Sequence, residues 1–171
     1  MQETLIEINR RGLPPFSARG CTQVLKPIRT GELRRSINGE LCYLGLETHQ
    51  KYWTEIHCQD KISPALEGLW QGEEVSLSCL QRICQETSPQ RVSKLERPAV
   101  PGSVKAFTQS GDLLDVIEMS ETEVSLTQPL VEEQRFFITY RPHLTMRVTF
   151  FSLETQEWQA KVGWRLCLEE I

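Results

Sequence analysis

Apolar residues recur at every second position of this chain, and that period constrains its fold more than any other feature. Leu144, Met146, Val148 and Phe150 alternate with Thr145, Arg147 and Thr149. Ala160, Val162, Trp164, Leu166 and Leu168 alternate with Lys161, Gly163, Arg165, Cys167 and Glu169, and Glu154–Glu157 links the two runs. Successive side chains of a strand point to opposite faces, so each run offers one apolar face to a core. Similar strand patterns occur in Thr4–Ile8, Cys21–Ile28, Tyr52–Gln59, Glu74–Ile83 and Arg135–Tyr140. No long stretch carries the 3.6 period of an amphipathic helix. Glu47–Tyr52 and Leu80–Glu86 have room for one helical turn each. The expected fold is mainly β, an antiparallel β-sandwich or a partly closed β-barrel of roughly nine to twelve short strands with extended hairpins and little helix.

Turn chemistry divides the chain further. Asn38-Gly39 predicts a two-residue type I′ hairpin turn that sets Ile37 opposite Glu40, Arg35 opposite Cys42 and Leu33 opposite Leu44. Ser110-Gly111-Asp112 and Ser120–Glu123 mark two more turns. Residues 1–84 read as the N-terminal part of a β-domain and 85–102, with Pro89, Pro98 and Pro101, as a connector. Residues 103–135 read as an acidic hairpin region and 136–171 as the C-terminal hairpin that completes the domain. A chain of 171 residues buries roughly 70% of its unfolded surface and needs no disulfide or metal staple.

The net charge of −4 is unevenly placed. Between Lys105 and Arg135 there is neither lysine nor arginine, while Asp112, Asp115, Glu118, Glu121, Glu123, Glu132 and Glu133 all fall there. A face that grips phosphates needs the opposite sign. The stretch is a solvated acidic hairpin or, where DNA passes close by, a surface that repels a polyanion.

The cysteines, Cys21, Cys42, Cys58, Cys79, Cys84 and Cys167, are irregularly spaced. Cys79 and Cys84 lack the second close pair of a zinc site, and His57 and Cys58 would point to opposite faces of a strand. Met1–Ile8 lacks the basic start and apolar core of a signal peptide, and no apolar run approaches the roughly 18 residues of a membrane span. Reduced thiols packed as small hydrophobes are therefore expected. His49, His57 and His143 stand in no local signature of nucleophilic catalysis, and the glycines form no phosphate loop. No catalytic residue, metal or cofactor is assigned, and enzymatic activity is not expected.

Six side chains have two readings each. Arg34 and Arg35 either contact a partner subunit, where arginine is enriched, or lie on the solvent side of a strand. Arg19, in Ser17-Ala18-Arg19-Gly20, either fixes a neighbouring carboxylate or makes a local turn contact. Trp70, between Gly68 and Gly72, is either an interface plug or, as preferred, an anchor folded onto its own core. Trp158, like Trp164, is expected in core or sheet-edge packing rather than ligand stacking.

The run Pro15-Phe16-Ser17-Ala18-Arg19-Gly20-Cys21-Thr22-Gln23 resembles the start of a group of small bacteriophage tail structural proteins. The likeness returns at Leu33–Leu41, Pro64–Gly72, Tyr140–Met146 and Glu157–Leu166, about half the chain in all. The resemblance implies a component of the distal tail near the baseplate hub, with a tail-tube-like β scaffold. It implies a virion protein assembled in the bacterial cytoplasm, forming a ring with copies of itself and meeting other tail proteins of the tube, hub or baseplate. DNA would pass transiently without specific binding, and no membrane would be involved. On that reading Arg19, Arg34, Arg35 and Trp70 are interface residues, and Asp112, Asp115, Glu118, Glu121 and Glu123 face the channel. The alternative is a monomeric β-barrel module that binds a carbohydrate or peptide, with Trp53, Trp70 and Trp158 lining its site.

Overall fold

The structure, a computed structural model, describes residues 4–9, 11–28, 31–45, 50–87, 92–127 and 135–171. Among them are fifteen strands and no helix: β1 (Glu7–Ile8), β2 (Thr22–Ile28), β3 (Glu32–Arg35), β4 (Leu41–Leu44), β5 (Lys51–Asp60), β6 (Glu74–Ser78), β7 (Ile83–Thr87), β8 (Val92–Lys94), β9 (Lys105–Thr108), β10 (Leu113–Leu114), β11 (Val116–Glu118), β12 (Glu123–Leu126), β13 (Phe136–Tyr140), β14 (His143–Gln156) and β15 (Lys161–Glu170). The protein is mainly β, in more strands than the period alone predicted. The sheets are open, with no closed barrel among the described residues. The largest runs β1-β6-β14-β15-β5-β2 in hydrogen-bonded order. Glu47–His49, Glu132 and Glu133 lie outside the described residues.

The chain divides into two compact units, Met1–Gly12 with Ser76–Leu144 and Leu13–Val75 with Thr145–Ile171. In the first, a four-stranded sheet (β10-β9-β13-β7) and a three-stranded sheet (β11-β12-β8) share a core. Strand β13 alternates, burying Phe136, Ile138 and Tyr140 against Leu95, Ala99, Ala106 and Val124. Each such side chain contributes about 1.5–3 kcal/mol by leaving water. The buried Tyr140 hydroxyl accepts a hydrogen bond from the Arg97 amide at 3.2 Å.

Two expectations fail in this unit. The helical turn over Leu80–Glu86 does not form. Ile83–Thr87 is instead β7, paired along its whole length with β13, whose aromatic and β-branched residues give a strand the cross-strand contacts that one helical turn lacks. The stretch 85–102 is no bare connector either. It supplies β8, and Leu95, Ala99 and Val100 are buried.

In the second unit, β5, β15 and β14 bury Ile56, Cys58, Trp164, Leu166, Leu168, Met146 and Val148. A bulge shifts the β14–β15 register between Val148 and Phe150. One extra residue reverses which face a strand's side chains take. Phe150, expected inside with Val148, is therefore half-exposed, with the Arg165 guanidinium 5.8 Å from its ring centre. Trp164 is buried as expected, its indole N–H donating to the Ser17 carbonyl at 2.8 Å. Trp158 is not. It sits past the end of β14, in the turn closed by Ala160 N–H to the Glu157 carbonyl, and is 100% exposed.

Candidate functional site

Alternation places a charge where it needs a partner. On β5 the buried face carries Thr54, Ile56 and Cys58, and the same phase continues to Asp60, whose side chain is 3% exposed. A buried carboxylate is tolerable only when paired and hydrogen-bonded. Arg19 supplies the pair: Nη2 donates at 2.7 Å, Nε at 3.2 Å and its own amide at 2.9 Å, while the Lys61 amide adds a bond at 2.8 Å. The Arg19 guanidinium beside Asp60 holds its carboxyl down at about 2, against the desolvation that would raise it. Of the two readings of Arg19, it is the fixed carboxylate that the structure contains.

The loop around Arg19 is tied at several further points. The Phe16 carbonyl accepts from the Lys61 and Ile62 amides, and the Phe16 ring lies 4.5 Å under the Arg19 guanidinium. Phe16 adopts φ +65°, a left-handed conformation costly for a bulky residue, held here by these contacts. The segment Pro15–Gln23 thus docks onto the end of β5. Nothing in its spacing reveals Asp60, 41 positions away.

The β3–β4 hairpin has the opposite character. Its strands pair only with each other among the described residues. Arg35 lies opposite Leu41, Arg34 opposite Cys42, Leu33 opposite Tyr43 and Glu32 opposite Leu44, one residue away from the register that a two-residue turn would give. The loop has three residues, Ile37-Asn38-Gly39. The Gly39 amide donates to the Ser36 carbonyl at 2.9 Å, the Ser36 amide to the Glu40 carbonyl at 2.8 Å, and only Gly39 takes a positive φ. That is a type I turn closed by a left-handed glycine bulge, which needs one such residue where type I′ needs two.

This register puts Leu33, Tyr43 and Leu41 on one face with Arg35, and all three apolar side chains are about half exposed. Ile37 at the tip is wholly exposed. At the base, the Tyr43 ring covers Gly31 and Gly45, where an added Cβ would lie 2.8 Å and 2.5 Å from it. Arg34 pairs with Glu32 at 2.6 Å, and Arg35 Nη1 donates to the Gly39 carbonyl at 2.8 Å.

Trp70 is 74% exposed and is not the anchor of its loop. Leu66 and Leu69 are buried and hold that loop to the core, which leaves Trp70 to project. Two of the aromatic candidates for a binding module, Trp53 and Trp158, do not converge. Trp53 lies opposite Glu169, while Trp158 lies beyond Lys161, about 25 Å away along extended β15.

The acidic residues Asp112, Asp115, Glu118, Glu121 and Glu123 are all exposed. Two of them have internal partners. The Glu118 carboxylate accepts from the Gly102 and Val104 amides at 2.9 and 3.2 Å, and Asp112 accepts from the Ser110 hydroxyl at 2.6 Å. Glu123 lies opposite Lys94 of β8, a cation brought in from outside the acidic stretch.

Two arrangements were not visible in the sequence. Arg82 reaches across the first unit to the Thr139 and Ser103 carbonyls. Ser78 Oγ and His143 Nδ1 share a hydrogen bond at 3.2 Å beside a pocket of about 450 Å³ lined by Glu7, Ile8, Asn9, Ser76, Ser78 and His143. Ser78 is buried, so this contact orients the imidazole rather than presenting a nucleophile. No protein-family model, curated protein or solved structure matches the chain.

Proposed function

We propose that the protein is a structural subunit of a bacteriophage tail, forming a ring with copies of itself at the distal tube or baseplate hub and contributing to the DNA channel. The observation that carries this reading is the apolar face of the β3–β4 hairpin, with Ile37 at its tip. A two-stranded ribbon is marginal in water by itself, and a contiguous exposed apolar face marks an association surface. A neighbouring copy covers Leu33, Leu41 and Tyr43. Head-to-tail repetition of one such contact closes into a ring when its rotation allows. The resemblance of Pro15–Gln23 and Leu33–Leu41 to tail proteins supplies the setting.

Asp115 and Glu121 are the acidic side chains suited to a channel wall. Glu118 is committed to the Gly102 and Val104 amides and Asp112 to its own turn. Electron microscopy of the purified full-length chain tests the reading: rings of uniform diameter support it, and dispersed single copies at high concentration argue against it. In phage particles, Asp115→Lys with Glu121→Lys is expected to slow DNA release without blocking assembly; unchanged release kinetics would remove the channel role.

A further inference from the structure

We propose that Cys21 and Cys58 are a redox-reactive pair that closes to a cross-strand disulfide by exchange with a low-molecular-weight disulfide such as oxidised glutathione. Strands β2 and β5 run antiparallel with Thr22 opposite His57, so the next pair outward is Cys21 and Cys58. Directly opposed residues of such strands have Cα atoms about 4.5–5.5 Å apart, inside the span that a disulfide bridges. Both sulfurs meet one turn: Cys21 Sγ donates to the Ala18 carbonyl at 3.2 Å and Cys58 Sγ to the Arg19 carbonyl at 3.5 Å. The two thiols also contact each other. The other paired cysteines have different partners. Cys42 faces Arg34, Cys84 faces Thr139, and Cys167 faces Glu55 on one side and Phe150 on the other.

The exchange proceeds in two steps. Cys21 is partly exposed, and its thiolate attacks one sulfur of the small disulfide, forming a mixed disulfide and releasing one glutathione thiolate. Cys58, buried alongside, then attacks the Cys21 sulfur and expels the second glutathione. Two protein thiols are oxidised, and the glutathione disulfide is reduced to two thiols. In the reduced protein the neighbouring Cys21 thiol draws the Cys58 thiol below its ordinary pKa, against burial and the nearby Asp60 charge. The product staples the entry of edge strand β2 to β5 beside the Arg19–Asp60 pair.

The test is to incubate the native full-length chain with oxidised glutathione, alkylate the remaining thiols and map the peptides by mass spectrometry. The expected result is a Cys21–Cys58 linked peptide lighter by two hydrogens and reversed by dithiothreitol. Cys58→Ala, which keeps the site apolar, is expected to trap glutathione on Cys21, and Cys21→Ser to abolish the linked peptide. A wild-type protein that retains glutathione on Cys21, or leaves both thiols open to alkylation, overturns the proposal.

Discussion

Strands β13 and β3 are both short and extended, yet they meet opposite fates. β13 lies between β7 and β9, and a second sheet covers the face that carries Phe136, Ile138 and Tyr140. β3 has β4 as its one pairing strand among the described residues, and Leu33 with its neighbours Leu41 and Tyr43 stays half in water. Local pattern makes each segment a strand; neighbours on both edges and over one face decide whether the strand becomes core. An apolar strand face without that cover stays in contact with water.

The comparison is broken most severely at β13. Phe136→Ala is expected to remove about 3–5 kcal/mol of stability, read as a lower urea midpoint, because it empties a fully enclosed site. Asp60→Ala comes next. It leaves the Arg19 and Lys61 amides without their carboxylate, at about 1–3 kcal/mol. That contribution depends on pH with a definite sign. The folded carboxyl titrates at about 2 and the free one near 3.8, so the stabilisation is complete above the unfolded value and drains away as pH falls from about 4 towards 2. Asp60→Asn should flatten the melting temperature across that window.

Gly39→Ala sharpens the comparison at the other end. A Cβ at φ +81° meets no neighbour but strains the backbone, at about 1 kcal/mol. The expected readout is faster hydrogen exchange of the Ser36 and Gly39 amides with β13 unaffected. The smallest effect on stability belongs to Leu33→Lys with Leu41→Lys, within about 0.5 kcal/mol in the isolated subunit, because neither residue is enclosed.

Strand character was legible because alternation is local: β5, β13 and the β14–β15 pair sit where their residues predict. The phase of β5 also carries Asp60 inward, so a buried acid was readable in principle, but its partner was not, since nothing in a sequence measures the distance from Arg19 to Asp60 across the folded chain. The Asn38-Gly39 turn was readable as a turn. Its register was not, because one left-handed residue and two give hairpins that differ by a single position. The bulge after Val148 left no local signature, and Phe150 was misplaced with it. Trp70 and Trp158 were misplaced for a shared reason. Large aromatics are buried on average, and whether Leu66 and Leu69 or Trp70 anchors a loop depends on packing that composition does not encode.

On the proposed reading, the uncovered face of β3–β4 binds a second copy of this chain. Sedimentation velocity of the wild-type protein and of the Leu33→Lys, Leu41→Lys variant, each over a wide concentration range, tests it most directly. A discrete closed oligomer is expected for the wild type and a folded monomer for the variant. A wild type that stays monomeric throughout, or a variant that assembles just as well, would contradict it.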